Sequence, residues 1–398
     1  MTRPRHYRTG PALLATLSLM VALFTMGAAA QASYQLEVLY EGLEKPVSLL
    51  TLDDGSMLLS SLDGRVYLLH DGVVRNAPVL DLTPRVTALE GEQGFYGVAL
   101  EPAAAARAAG RPRWLVASFA ERGTGALVVA SYPFDDVART ASIEGEVTLL
   151  SILMPEPFHY GGQVRFGPDG MLWVSVGNGE SSNRFLHETP FSSQDLGSLR
   201  GKLLRLDLSA AHPGEPYAVP PDNPFVGQEG ARPEVYAYGF RNPWKFTFHP
   251  VTSDILLVDV GNDRWEEVNV VQRGGDHGWP RREGLECQHF PDVPGLVDAA
   301  CEEKSYVPPV HVYGHLAIDP LGGQAVTGGL VPTSGPLAGD YVFADFVVGR
   351  IWSLDLGSGQ ATELLDTELA ITELSLGPEG EVLVVSVSGV VGRLRTAP

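Results

Sequence analysis

A histidine stands just ahead of a glycine pair in "HYGGQVRFGPDGMLWVSVGNG", the stretch from His159 to Gly179. Neutral imidazole takes up a proton near neutral pH, so His159 is a candidate general base. Gly161 and Gly162 have no Cβ, which predicts room for a flat group beside the backbone. In "GFRNPWKFTFHP" Arg241 and Asn242 fill the same slot one repeat later. A guanidinium there could stabilise developing negative charge. In "DVGNDRWEEVN" Asp259, Asp263, Glu266 and Glu267 crowd a turn. Oxygen ligands at such a turn suit Ca²⁺, although the spacing is not that of an EF-hand. "GGDHGWPRREG" reads as a rigid rim loop, with His277 and Trp279 beside Pro280. Spacing alone leaves each feature a plainer reading: a loop histidine, a structural arginine, a solvated acidic turn and a core tryptophan.

These residues need a scaffold that brings distant segments together. Strand patterns recur from "PVSLLTLDDGSMLLSSLDGRVYLLHDG" to "ITELSLGPEGEVLVVSVSGVVGRLR". Six copies share one layout: strand, a D-G or P-x-G turn, strand, a Gly-containing turn, strand. Repeated small sheets predict an all-β fold, a six-bladed β-propeller of four-stranded antiparallel sheets. The segment "YQLEVLYEGL" has no partner nearby and should complete the last blade as its outer strand, hiding an edge. Long inserts at 180–200, 210–233 and 276–325 would build a site on one rim. "EPAAAARAAGRPR" is the one helix-friendly stretch, closed by Pro112.

Composition agrees. The 398 residues include 45 glycines and 30 prolines without a collagen-like period, which favours many tight turns. Residues 1–32 read as a secretory signal peptide: Arg3, Arg5 and Arg8, an apolar run from Leu13 to Met26, then "GAAAQA". That run is shorter than the ~20 residues that span a bilayer, and no second one follows, so no stable membrane span is expected after cleavage. Residues 33–398 would be a single propeller domain. Net charge is −20, and losing those three arginines makes it −23, so a nucleic-acid partner is excluded. The two cysteines, Cys287 and Cys301, fit one disulfide in a secreted or periplasmic chain.

Taken in order, the four motifs resemble the glucose/sorbosone dehydrogenase family, exported six-bladed propellers that use pyrroloquinoline quinone (PQQ) and Ca²⁺. "GEQGFYGVALEP", which carries Glu92, resembles the family's second-blade motif. The resemblance runs from about Leu43 to Arg395. It implies oxidation of an aldose-type sugar or sugar aldehyde, with hydride passing to the quinone and electrons to an external acceptor, in a monomer or homodimer. It implies His159 as the base, and Arg241, Asn242, Glu92, Gly161 and Gly162 against the cofactor. It implies Gly261 and Asn262 as main-chain Ca²⁺ ligands, with Asp259, Glu266 and Glu267 shaping the turn.

Two departures stand out. Asn178 occupies the place of the aspartate that orients the base, with Glu180 close by. Val347 stands where a lysine grips the PQQ carboxylates, and "DTELAITELSLGPEG" has no basic residue. Arg350, or the loop residues Arg184, Arg200 and Arg281, would have to substitute. The departures motivate a rival reading, a non-enzymatic secreted propeller of the hedgehog-interacting kind that binds a glycan or protein. A Ca²⁺-dependent lactonase ranks below both, because the inner-strand candidates are mostly neutral.

Overall fold

Strands buried on both faces need apolar side chains throughout. Leu172–Val176, Tyr341–Asp345 and Val382–Ser386 are such strands, with every residue buried. In the computed structural model, which describes residues 33–87, 90–180, 191–209, 215–288, 301 and 304–397, they are the second strands of three blades. The leader expected over 1–32 lies outside the described residues.

Among the described residues there are six antiparallel blade sheets and one two-stranded hairpin; five blades run from the axis outward in chain order, and the sixth takes its outer strand from the start of the chain. Their inner strands are Pro46–Thr51, Phe95–Leu100, Gly161–Phe166, Pro243–Phe248, Val326–Leu330 and Ile371–Leu376. Each inner strand touches the next, and the last touches the first, so the ring closes. Blades 1 and 2 differ from the expected four strands, because their outer edge is split into two short pieces: Val73–Val74 with Leu80–Asp81, and Thr140–Ala141 with Val147–Ile152.

Closure works as anticipated. Tyr34–Tyr40 pairs antiparallel with Val390–Thr396, Tyr34 facing Thr396. The blades are glued by six separate apolar clusters, one at each junction. The junction of blades 3 and 4 holds Trp173, Leu203, Phe240, Phe246 and Leu257. The helix Ala103–Ala109 ends one step earlier than the proline suggested. Gly110, at φ 65°, takes the left-handed cap position.

One irregularity recurs. All six inner strands shift register against their second strand within the first few residues, between Gly161 and Val164 in blade 3 and between Pro243 and Lys245 in blade 4. Such bulges bend a strand and re-aim its side chains. Here they sit at the end of the ring that carries the candidate residues.

Removing Tyr34–Tyr40 should strip the last blade of its outer strand and bare the edge of Val390–Thr396. The truncated chain is expected to melt earlier and to form multimers, read by thermal unfolding and size-exclusion chromatography.

Candidate active site at one end of the ring

The residues read as base and cofactor contacts sit where an inner strand begins or just after a second strand ends. His159 precedes Gly161–Phe166, and Asn178 follows Leu172–Val176. Arg241 and Asn242 precede Pro243–Phe248, and Gly261 and Asn262 follow Ile255–Asp259. Glu92 lies just before Phe95–Leu100. The topology therefore delivers three blades' worth of side chains to one place.

Glu92 ties them together. Its Oε2 accepts the His159 N–H at 2.9 Å and the Asn242 Nδ2–H at 3.2 Å. Asn242 Oδ1 accepts the Gly161 N–H at 3.0 Å. The Asn178 N–H donates to the Arg241 carbonyl at 2.8 Å. Burial pushes the Glu92 carboxyl above its usual range, while Arg241 and the two donors pull it back.

His159 is buried and adopts φ 52°, a left-handed conformation that costs a branched or bulky residue ~1–2 kcal/mol. Its Nδ1 lies 2.9 Å from Asn178 Oδ1. That same oxygen accepts the Glu180 N–H at 3.1 Å, so it is an acceptor and the imidazole must bring the hydrogen. A hydrogen on Nδ1 leaves the lone pair on Nε2, the tautomer a base requires. Burial, reinforced by the Arg241 charge, lowers the His159 pKa to about 3, against the opposing pull of Asn178 and the Glu180 main chain. The ring is neutral at any physiological pH.

Arg241 is held from several sides. Asp259 accepts the N–H groups of Arg241 and Asn242 at 2.9 and 2.6 Å. The guanidinium donates to the Val260 carbonyl and to Asn262 Oδ1, both at 3.1 Å, and lies 5.5 Å from the Trp279 ring centre. Trp279 thus serves this site as well as the core.

The acidic turn is organised by a residue that sequence reasoning missed. Glu283 Oε1 accepts four successive N–H groups, from Asn262 to Trp265, at 2.7 to 3.1 Å. A peptide C=O points opposite to the N–H of the same unit, so the Gly261 and Asn262 carbonyls are turned away from Glu283. Outward carbonyls on a pinned turn suit a hard cation. No group of three acidic, His or Cys side chains placed to hold a metal occurs among the described residues, so a cation here would rest on peptide oxygens. Glu266 accepts the Gly261 and Val326 N–H groups and meets His315 Nε2 at 2.7 Å. Glu267 accepts the Gly284 N–H. Both shape the turn. Glu283 stands in the quoted "RREG"; only its acidity could have flagged it, because its partners are some twenty residues away.

Other expectations change. The space at the two glycines is filled by the protein itself. A Cβ on Gly161 would lie 3.0 Å from the Gly177 nitrogen and the Pro243 oxygen, and one on Gly162 would lie 2.6 Å from the Tyr96 ring. These glycines let blade 3 seat against its neighbours; they do not clear a slot. The Glu180 carboxylate bonds Arg200 and Ser192, at 2.9 and 2.8 Å, and reaches the imidazole only through its main chain. Arg200 is spent on that pair and on the Asn178 carbonyl. Arg350 pairs with Asp366 and the Gly322 carbonyl. Arg281 sits over the Phe191 ring, and Arg184 lies outside the described residues. Beside Glu92 and Asn242 the channel mouth widens into a cavity of about 300 Å³, walled by Val47, Leu62, Val260, Val326, Phe346 and Val387. Cys287 and Cys301 form the expected disulfide, which anchors the hairpin Arg282–Glu283 and Glu286–Cys287.

His277 is also buried, stacked on Phe240 with ring centres 4.5 Å apart. Burial lowers its pKa to about 3. Unfolding returns His159 and His277 to the ordinary 6.5, so the unfolded chain gains protons first as pH falls. Their contribution to stability is complete above pH 6.5 and is lost toward pH 3. Urea unfolding at pH 7 and pH 4.5 should show a smaller acid-side loss in His277→Phe, by up to about 1.4 kcal/mol per pH unit.

The comparisons with known proteins agree with this geometry. The sequence profile of the family described as Glucose / Sorbosone dehydrogenase matches residues 43–394. The aldose sugar dehydrogenase YliI of Escherichia coli is 31% identical over 286 residues, which is 70% of this chain and 71% of that protein. The HIPL1 protein of Arabidopsis thaliana is 34% identical over 215 residues, half of this chain but only 30% of HIPL1. The chain thus spans about a third of the length of that relative. The PQQ-bound structure of the aldose sugar dehydrogenase from Streptomyces coelicolor superposes with a TM-score of 0.67 at 21% identity, covering 92% of this chain and 98% of that one, which establishes the shared fold. A profile match over nearly all of the ring means that the chain belongs to the glucose/sorbosone dehydrogenase family.

Proposed function

We propose that the protein is a PQQ- and Ca²⁺-dependent dehydrogenase that oxidises the anomeric hydroxyl of an aldose, or a related sugar aldehyde, and passes electrons to an external acceptor. The observation that carries this reading is the Nδ1-protonated His159, aimed by Asn178 and joined through Glu92 to Asn242 beside Arg241. The disulfide supports export to an oxidising compartment, secreted or periplasmic.

The donor set fits the quinone end of such a group. Arg241 and Asn242 are neighbouring N–H donors fixed from behind by Asp259, and the outward carbonyls of Gly261 and Asn262 fit the cation. The carboxylate end meets a different wall. No described Lys or Arg lines the 300 Å³ cavity, and its one charged residue is Glu92. Binding should therefore be weak, since each missing charged contact costs ~2 to 5 kcal/mol.

PQQ, when bound, supplies the two-electron acceptor for a hydride. His159 Nε2 takes the hydroxyl proton of the sugar, which lets the C–H bond break as hydride. Asn178 keeps that nitrogen facing the substrate but has no charge to stabilise the imidazolium. Arg241 places a fixed positive charge where negative charge accumulates, and that charge is also one reason His159 is a weak base.

Purified protein given PQQ and Ca²⁺ should reduce a dye with aldoses and melt at a higher temperature. No dye reduction together with no cofactor-dependent stabilisation would sink the reading. His159→Ala should lower turnover by about 10²–10⁴. Asn178→Asp should raise the imidazole pKa and shift the acid limb of the pH–rate profile upward. Glu283→Ala leaves four N–H groups without their acceptor, so calorimetric titration should find the Ca²⁺ affinity reduced by about tenfold or more.

A further inference from the structure

The opposite end of the ring holds a second cavity, of about 520 Å³, bordered by the far ends of three inner strands and by the helix Ala103–Ala109. Its lining includes Ser48, Gln163, Arg165 and Glu373 within the channel. Asp53, Arg107 and Arg113 complete the charged lining nearer the mouth.

Arg165 is anomalous here. It is enclosed by protein, yet 35% of its side-chain surface faces the channel. Among the described residues its only ion pair is a loose one, 3.8 Å from Glu373, and no hydrogen bond involves its guanidinium. Its Nε is buried without a partner. A guanidinium carries five N–H donors, and enclosing them without acceptors is costly.

Glu373 does not balance it. The Glu373 carboxylate already lies 3.8 Å from Lys245 and accepts the Leu49 N–H at 3.0 Å. Lys245 itself is buried, with one hydrogen bond, to the Tyr96 carbonyl at 3.3 Å. Two cations thus share one anion, and the excess is one positive charge inside the ring. Arg113 is matched by Asp136 at 3.0 Å. Arg107 and Asp53 at the mouth offset each other.

A further donor is aimed the same way. Gln163 and Arg165 are two apart on one strand, so both face the axis. Gln163 Oε1 accepts the Phe246 N–H, so Nε2 is the end of this cavity-lining amide left to donate. This is a pocket of ligand-binding size with a planar, fork-shaped cation and an amide N–H on one wall.

We infer that this far cavity is an oxyanion site, in which Arg165 and Gln163 grip a carboxylate or phosphate group while Lys245 neutralises Glu373. The volume admits a small molecule that carries the anionic group. The site lies at the other end of the channel from His159 and uses none of its residues, so it stands independently of the proposed reaction.

The test titrates full-length protein with inorganic phosphate and, separately, with acetate, at ionic strength held constant with chloride. Saturable heat and a rise in melting temperature are expected with at least one of them. Phosphate alone would assign a phosphate ligand, and acetate alone a carboxylate. Arg165→Gln should raise the dissociation constant by about tenfold or more. Arg165→Lys, which keeps the charge but removes the planar fork, should weaken binding severalfold, and it decides the matter if Arg165→Gln fails to fold. No saturable response beyond chloride, or equal affinity in wild type and the variant that folds, overturns the inference.

Discussion

Asp259 accepts two main-chain N–H groups at the entrance to the inner strand of its own hairpin, and the site depends on contacts of this kind. An inner strand begins deep in the ring, where water cannot satisfy the N–H and C=O groups at its entrance. A polar side chain at the end of the second strand does so instead. Asp345 fills that slot in blade 5, accepting the N–H groups of Gln324 and Ala325 at 2.8 Å. Ser61 and Ser386 use it in blades 1 and 6, donating to the Glu44 and Ala370 carbonyls. In blade 3 the slot holds Val176, opposite Gly161, and it is Asn178, two residues on, that holds a side chain, the His159 imidazole. The candidate site is therefore built beside a repeated structural joint, at the blade where the joint itself carries no polar side chain.

A second set of carboxylates joins blades instead of closing one. Glu92 of blade 2 holds His159 of blade 3 and Asn242 of blade 4. Glu266 of blade 4 accepts the Val326 N–H of blade 5, and Glu373 of blade 6 the Leu49 N–H of blade 1. Apolar clusters glue the junctions but are not directional. These buried hydrogen bonds set the register between blades, on which the distance from His159 to Arg241 depends.

The blades were legible because strand and turn chemistry are local. "GPDG", "DDG" and "GPEG" mark hairpins within a few residues, and Tyr34–Tyr40 stood out for lack of a nearby partner. His159, Arg241 and Asn242 were visible as polar residues at equivalent places in successive repeats. Glu283 was not, since its four partners precede it by about twenty residues and meet it only after an insert folds back. Gly161 and Gly162 misled, because a missing Cβ signals close approach without saying what approaches. Here it is Pro243 and Tyr96. Arg165 passed unnoticed in "VRFGPDG", where an arginine in a strand would ordinarily point to solvent.

Charge placement unites both ends of the channel. The chain carries −20, yet Arg241 and Lys245 are buried beside the axis and Arg165 lines the far cavity half-buried. An acidic exterior repels anions at long range, while a cationic axis between low-dielectric walls attracts them once they enter. Selectivity for an anion would then come from the channel and not from the surface. The attraction is also why the axis is cationic only where a carboxylate can share the load: Glu92, Asp259 and Glu266 act on Arg241, and Glu373 acts on Arg165 and Lys245. At the His159 end three acids outnumber the one arginine. At the far end one carboxylate serves two cations, and the unmatched donors face an open cavity.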